Sequence, residues 1–560
     1  MKNILNPNYV SPQTPKSTHE VLNQTPLLEE YNLFFSDLVL QEALVREEDA
    51  GASGKAKEFG QASGAAQVWQ WGFQANENPP KLRSHNSQGY RIDQVEYHPA
   101  YHELMKFSLK NGLQSRPWTD VNNKSQVLRA ACYYMMAQVE IGHLCPVTMT
   151  YAVAPVLKKQ GSYVEEWFKK VSTPDYDPQF KPSSQKKAVV FGMAMTEKQG
   201  GSDVRANSTI AKPLQKSGPG EAYHLTGHKW FCSAPMSDAF LVLAQAPHGL
   251  SCFLVPRFLP DGSTNVFMIQ RLKDKLGNRS NASSEIEFLN TWGMLLGEEG
   301  RGVPTIIEMV NHTRLDCVIG SSALMRQAVF RALHHAEYRF AFGKKLIEQD
   351  LMKNVLADLI LESEAATQLF FRLARAFDAR SDERESRFRR LATAISKYWV
   401  CKRAPFHIFE AMECLGGNGY AEESILPRLY REAPVNSIWE GSGNVNCLDV
   451  LRAIAKDPES LQILFEEIEA GAQDNSQIKS ELIQLKKIFQ SSATDQYMTR
   501  RLVEKLILML QASLLNLYSP DFVSDAFIYS RLKQDWGYAF GTLPQGTKFK
   551  KIIERAKSNT

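Results

Sequence analysis

The spacing of apolar residues divides the chain into stretches of different period. Residues 1–37, rich in Pro, Asn, Thr and Ser, show no period and predict an extended arm laid over other structure. Residues 38–187 read as mostly helical. Within them Gln126–Val156 is a long apolar-rich run that predicts buried helices broken at Pro146 and Pro155. From 188 to 300 the period falls to two. AVVFGMAMT, ANSTIA, AYHLTGHKWFCSA, AFLVLAQA, LSCFLVPRFLP, VFMIQRL and ASSEIEFLN are seven β-rich runs separated by Gly, Pro and Asn, as in a compact all-β domain. Residues 301–456 return to helical spacing. One stripe is Leu324, Ala328, Val329, Ala332, Leu333 and Ala336; a second is Leu351, Val355, Leu359, Ala366, Leu369, Leu373 and Phe377. Residues 457–560 hold one clear amphipathic helix, with Leu502, Leu506, Leu510, Leu514 and Leu517 on one face. Strands and helices are segregated, so the fold class is α+β.

Composition narrows the function classes. With 43% hydrophobic and 22% charged residues the chain is globular, and no apolar run approaches the ~18 residues of a membrane span. The first twenty residues lack an apolar h-region. The eight cysteines are scattered without a C-x-x-C pair, so reduced thiols in a cytoplasmic protein are expected. A net charge of +4 is too small for a whole-protein polyanion partner, but residues 479–560 carry 13 Lys/Arg against 7 Asp/Glu. Just before them, six acids and no base lie between Asp457 and Ile478. No phosphate loop, no G-x-G-x-x-G after a strand and no G-x-S-x-G elbow occur. The pair His98 and His102 lacks the glutamate of a zinc motif and encloses Pro99, so no metal site is expected.

Three glycine-bearing segments carry the chemistry that remains. Met195-Thr-Glu-Lys-Gln-Gly-Gly-Ser-Asp-Val204 leaves a strand with adjacent glycines and free amides, a turn able to approach an anionic or planar ligand. Gly416-Gly-Asn-Gly-Tyr420 reads on its own as a helix C-cap. Asn436-Ser-Ile-Trp-Glu-Gly-Ser-Gly-Asn444 sets one carboxylate, Glu440, between an indole and a flexible turn; a carboxylate in an apolar wall can have a raised pKa and act as a general base. Each has an ordinary structural explanation when taken alone; together they define a ligand-binding α+β protein.

In this order the segments resemble the acyl-CoA dehydrogenase flavoprotein family. MTEKQGGSDV is similar to its T-E-P-x-A-G-S-D loop, Lys229–Ser233 to K-x-W-I-(T/S), and Arg339–Gly343 to R-x-x-F-G. Leu415–Tyr420 is similar to L-G-G-x-G-(F/Y), and Ile438–Ser442 to the Y-E-G-T turn bearing the base. NQTPLLEEYNLFFSD, CPVTMTYA, RLKDKLGNRSNAS and LPRLYREAPVNSIWEGSGN are similar to the adaptive-response (AidB-like) branch of the family. The resemblance implies an N-terminal helical domain, a β-barrel or sandwich, a C-terminal four-helix bundle and a further helical domain. It also implies FAD, a homotetramer, an acyl-CoA or related acyl thioester as substrate, and duplex DNA association through residues 479–560.

Roles carry over by position. Glu440 is the implied α-proton base, and Arg452, twelve residues on, is implied to lie beside it. Met195, Thr196, Gly201, Ser202, Phe231, Cys232 and Ser233 are implied flavin contacts, with Ser233 at N5. Arg339, Phe342, Gly343, Gly416, Gly417 and Gly419 are implied to reach the FAD of a neighbouring subunit. Ile438, Gly441, Ser442, Gly443 and Asn444 form the implied cofactor turn, and Arg314 the implied coenzyme A contact. Departures are visible: Phe231 stands for a usual tryptophan, Cys232 for isoleucine, Lys198 for proline and Ala341 for glutamine, and Ser-Gly-Asn follows Gly441. Three readings result: a dehydrogenase-like oxidoreductase, a flavin-containing protein that binds and protects or repairs alkylated DNA, and an acyl-binding scaffold without turnover.

Overall fold

The computed structural model describes residues 18–47, 51–120, 125–492 and 496–557; the first part of the expected arm, residues 1–17, lies outside them. From Asn23 to Ser36 the arm runs along the long helix Gly302–Tyr338. Its carbonyls at Pro26 and Leu28 accept from His334 and Arg331 at 2.9 Å each.

The helical region 38–187 also contains an antiparallel hairpin, β1 (Lys81–His85) and β2 (Arg91–Glu96). These strands are polar and have no apolar alternation, which is why their period is silent. They dock on the β domain through Asp93, whose Oδ1 accepts from Ile269 N at 2.8 Å and whose carbonyl accepts from Arg257 at 2.9 Å. The apolar run 126–156 forms two buried helices, Ser125–Val139 and Leu144–Lys158, but the break is not at either proline. Pro146 sits in the first turn, where its missing N–H costs nothing. Pro155 lies inside the helix, and the Tyr151 carbonyl it leaves unpaired accepts from Trp118 Nε1 at 3.0 Å. The break falls at Gly142 instead. There the Glu140 carboxylate accepts from the Gly142 and His143 amides at 2.9 and 2.8 Å, and a Cβ on Gly142 would meet Ser280 Oγ at 2.0 Å.

The seven β-rich runs form one seven-stranded sheet: β3 (Phe191–Ala194), β4 (Ile210–Pro213), β5 (Ala222–Ser233), β6 (Ala239–Ala246), β7 (Gly249–Pro256), β8 (Met268–Leu272) and β9 (Ser283–Leu296). Pairing runs β6–β4–β5–β9–β7, and a β7–β6 ladder closes the ring, leaving β3 on β6 and β8 on β9. Closure removes the open edges and encloses Tyr223, Phe240, Phe253 and Phe288.

Three long helices, Gly302–Tyr338, Asp350–Asp378 and Glu383–Glu413, pack on one another and on Ser125–Val139. The first is buried on almost every side. In the second stripe Leu351 departs from expectation: it lies in the opening turn, ahead of the packed region, and is 85% exposed. The tail folds into several helices, among them Glu459–Ala472, Ser476–Ser492, Thr499–Tyr518 and Phe549–Ala556. Its acidic seam is neutralised by the bundle. Arg372 pairs with Glu467 and Glu385 at 2.5 and 2.8 Å, Arg384 with Glu466 at 2.5 Å, and Arg387 with Asp457 at 3.1 Å.

Candidate active site

Three parts of the chain converge on Glu440. It lies between the helices Leu426–Asn436 and Gly443–Lys456, in a turn where Glu440 and Gly441 have φ of 58° and 99°. Holding a non-glycine residue there costs ~1–3 kcal/mol, so the surroundings must over-determine it. Arg314 Nε donates to the Glu440 carbonyl at 3.0 Å, and Lys397 Nζ to those of Trp439 and Gly441 at 2.7 and 2.5 Å. Asn446 Nδ2 donates to the Gly441 and Ser442 carbonyls at 2.5 and 3.0 Å. Arg314 is itself fixed by Asp449 at 2.7 Å.

One oxygen of the Glu440 side chain is left unsatisfied. Oε2 is buried without a hydrogen-bond partner, and among the described residues the Glu440 backbone N–H donates to nothing. Burial pushes the carboxyl above the ordinary carboxylate range, against the pull of Thr313, Lys397 and Arg314. A base of raised pKa beside an open N–H donor can take a proton from carbon while the donor stabilises an adjacent oxyanion.

Cys145, near the start of Leu144–Lys158, brings the other two parts to this carboxylate. Burial pushes its thiol up to about 12; it feels the Lys275 cation and the Glu440 carboxylate and interacts with the Ser233 hydroxyl. Ser233 ends β5, and Ser283 Oγ, opposite it on β9, is 3.2 Å away. Strand alternation turns Phe231, 48% exposed, and Ser233 to one face. It turns Cys232 the other way, into the barrel core, where burial raises its thiol to about 12. The Cys232 side chain is therefore not on the flavin-side face expected for it.

The turn after β3 is built on a buried ion pair. Burial alone would raise the Glu197 carboxyl, but Lys229 at 2.7 Å and the Ser208 and Thr209 donors hold it well below the ordinary range. Trp230 N donates to Thr196 O at 2.8 Å, and Asn207 Nδ2 to Met195 O at 3.0 Å. A Cβ on Gly201 would lie 2.3 Å from Thr196 Oγ1, so only glycine lets the turn fold back, with Gly201 and Ser202 exposed on its rim.

The remaining candidates divide. Arg339 ends the long helix and donates to the Asn23 carbonyl at 2.5 Å. It leads into the hairpin β10 (Phe340–Ala341) and β11 (Lys344–Lys345), whose tip is Phe342, 98% exposed at φ 52°, and Gly343 at φ 77°. Gly416 and Gly417 border open space, whereas a Cβ on Gly419 would strike Met412 O at 2.3 Å. No hydrogen bond among the described residues joins either group to the Glu440 turn within one chain. Ile438 is exposed, and Ser442 stands at the N-cap position of the helix that follows without a side-chain capping bond. Asn444 Oδ1 accepts from Arg500 Nε of the tail at 2.8 Å, and Lys402 and Arg500 flank Gly443. Arg452 is exposed and makes no hydrogen bond or ion pair among the described residues; the arginine against Glu440 is Arg314, buried and bonded to the protein. Spacing along a helix does not fix which residue faces a turn. His98 caps the helix Pro99–Lys110 and His102 bonds Tyr176. Lys397, Cys145, Lys275 and Arg500 carry no mark in the sequence, since nothing in their spacing sets them apart. The orphaned Glu440 oxygen, the Gly201 turn and the open glycines fit a flavin dinucleotide.

Comparison with known proteins gives the family. Residues 23–178 match the adaptive response protein AidB N-terminal domain, 192–291 the acyl-CoA dehydrogenase middle domain and 300–455 the acyl-CoA dehydrogenase C-terminal domain. AidB of Escherichia coli (strain K12) is 48% identical over 82% of this chain and 84% of its own. Acyl-CoA dehydrogenase family member 11 of Caenorhabditis elegans is 29% identical over 79% and 72%. The solved structure of Caenorhabditis elegans ACDH-11 in complex with C11-CoA superposes with a TM-score of 0.84 at 25% identity, covering 97% of this chain and 93% of that one. The chain belongs to the acyl-CoA dehydrogenase family, on the branch that carries the AidB N-terminal domain.

Proposed function

We propose that the protein is an FAD-dependent oxidoreductase that dehydrogenates an acyl-CoA between its α and β carbons. The observation that carries this reading is the Glu440 turn, with its buried unpartnered Oε2 and free N–H. The thioester carbonyl accepts from the Glu440 N–H, which acidifies the α-carbon, and Glu440 takes the α-proton. FAD, when bound, supplies the acceptor for the β-hydride. Met195, Thr196, Gly201, Ser202, Phe231 and Ser233 line its flavin side, with Ile438, Gly441, Ser442, Gly443 and Asn444 below. Arg314 acts by orienting Glu440, not by touching coenzyme A. The C11-CoA complex of the ACDH-11 relative supports an acyl-CoA as substrate.

Arg339, Phe342, Gly343, Gly416, Gly417 and Gly419 serve the FAD of a neighbouring subunit in a homotetramer. An exposed aromatic at a strained hairpin tip and Phe406, 65% exposed on the helix Glu383–Glu413, support such an interface. That the eight cysteines form no disulfide among the described residues supports a cytoplasmic setting, and among the described residues no helix is long and apolar enough to cross a membrane. A second reading, duplex DNA association, is favoured by the tail. Asp457, Glu459, Glu466 and Glu467 of its acidic seam pair with bundle arginines, while Arg501, Lys548, Lys550 and Lys551 remain exposed.

Anaerobic flavin bleaching by a panel of acyl-CoA thioesters tests the first reading, with a duplex mobility shift run beside it. Glu440→Gln should keep FAD while bleaching falls by ~10²–10⁴-fold. A colourless protein after reconstitution with FAD, or bleaching of the variant at the wild-type rate, would sink it. Acyl-CoA binding without bleaching would leave the scaffold reading standing.

A further inference from the structure

Ser233 and Ser283 face each other across the β5–β9 ladder, and two hydroxyls 3.2 Å apart do not by themselves decide which is the donor. Lys275 decides it. Its ammonium has three donors and no acceptor, and it donates to Asn281 O at 2.7 Å and Ser283 Oγ at 3.1 Å. With Ser283 accepting from the lysine, its own proton is directed to its other neighbour, Ser233 Oγ. The Ser233 oxygen then accepts, and its proton points away from the strand pair, to the side where the Cys145 thiol also interacts with this hydroxyl. The backbone fixes the pair: Ala234 N donates to Ala282 O at 2.8 Å and Lys273 N to Ser283 O at 2.7 Å.

We propose that Lys275 is a positioning residue that acts through Ser283 to favour Ser233 as a hydrogen-bond donor toward the flavin. This rests on the reading above that Ser233 lies at the flavin. An oxidised flavin carries an acceptor at N5, and a donor aimed there favours arrival of a hydride by stabilising the negative charge it brings. Lys275 keeps its charge for this task. Burial lowers its pKa to about 8, opposed by the Cys145 thiol on the helix Leu144–Lys158 and by Glu432 on Leu426–Asn436, so it remains a cation at neutral pH.

The test uses the whole protein reconstituted with FAD labelled with nitrogen-15 at N5, whose resonance reports hydrogen bonding at that atom. Ser233→Ala calibrates the shift for loss of the donor. Lys275→Met and Ser283→Ala break the chain at two separate links and should each move the resonance in the same direction and by most of that amount, with FAD content unchanged. Lys275→Arg, again a donor without an acceptor, should restore the wild-type position. If Ser233→Ala moves the resonance while Lys275→Met or a folded Ser283→Ala leaves it in place, the role of Lys275 is refuted. If Ser233→Ala itself moves nothing, the placement of Ser233 at the flavin fails and the inference falls with it.

Discussion

Replacing Lys397 by methionine removes a buried cation while keeping most of the side chain's length. In the wild type its ammonium donates to the Trp439 and Gly441 carbonyls, one on either side of the base. Each charged hydrogen bond is worth ~1.5–3 kcal/mol. Asn446 still serves Gly441 in the variant, so the bond to Trp439 is the one removed without replacement. A stability loss of about 2–3 kcal/mol follows. The larger effect is on chemistry. The positive φ at Glu440 persists only while its neighbours hold it, and a displacement of ~1 Å costs on the order of 10²-fold in rate. The pH dependence shifts as well. Burial raises the Glu440 pKa and Lys397, with Thr313 and Arg314, pulls it down. Without the lysine the carboxyl moves further up. Because the base works only when ionised, the rising limb of rate against pH moves to higher pH. Stopped-flow anaerobic flavin reduction across pH, run beside urea unfolding, measures both effects. A folded, FAD-loaded Lys397→Met with the wild-type rate and the same rising limb would refute the account of the turn.

Further predictions rest on other parts of the molecule. Asn23→Ala removes the side-chain pair that clasps the Phe340 backbone at 2.8 and 2.9 Å, so the Phe342 hairpin loosens. Flavin retention on ultrafiltration and the sedimenting oligomer should fall together; an unchanged protein would separate the arm from the site. Glu432→Gln tests a buried acid whose pKa burial and Glu140 raise to about 7. Its native state holds a proton that the unfolded chain has released, so wild-type stability falls as pH rises from ~4.3 to 7. The variant should therefore be the more stable at pH 8 and not at pH 4, by chemical denaturation. Reversing Lys550 and Lys551 should weaken duplex DNA binding with FAD retained, and flatten the slope of log K against log salt by ~0.9 for each phosphate no longer neutralised. Arg555 has no place in that test, because it is held by Glu364 at 3.1 Å and by Glu42.

Periodicity carried the fold where burial is one-sided or complete. The strands of the barrel are apolar on their inner face, so each of the seven runs stands out between its turns. The hairpin β1–β2 is held by Asp93 and Arg257 with only Val95 and Leu82 packing on the barrel core, and so few apolar positions leave no period to read. The break at Gly142 was masked because proline is the stronger local signal, although Pro155 is rescued by an indole far away in sequence. The site was legible where a backbone requirement fixes the residue, as at Gly201 and Gly441. It was illegible where a side chain arrives from another element. Lys397 is 43 positions before Glu440, and its place beside the turn depends on how two helices pack, which no local spacing encodes. Arg452 shows the converse, a residue at the expected separation that faces outward.

The tail belongs to the same argument. From charge alone it reads as a solvated helical face packed on the dehydrogenase core or a subunit interface, and its charges are spent in two ways. Arg531 is wholly buried against Asp358 and Glu362, and Arg555 joins Glu364 to Glu42, so these arginines weld the tail to the bundle and to the helix Leu38–Glu47. Breaking either leaves an uncompensated buried carboxylate, at ~3–5 kcal/mol. Arg500 has a different place, because it reaches from the tail helix Thr499–Tyr518 to Asn444, four residues after Glu440. That hydrogen bond makes the tail part of the wall of the site. If a polyanion binds the exposed lysines and shifts this helix, flavin affinity must change with it, and flavin must change polyanion affinity by the same factor. DNA association through this tail is tied to the turn that holds Glu440 only so far as it moves the helix Thr499–Tyr518; a polyanion that leaves that helix in place leaves flavin affinity unchanged.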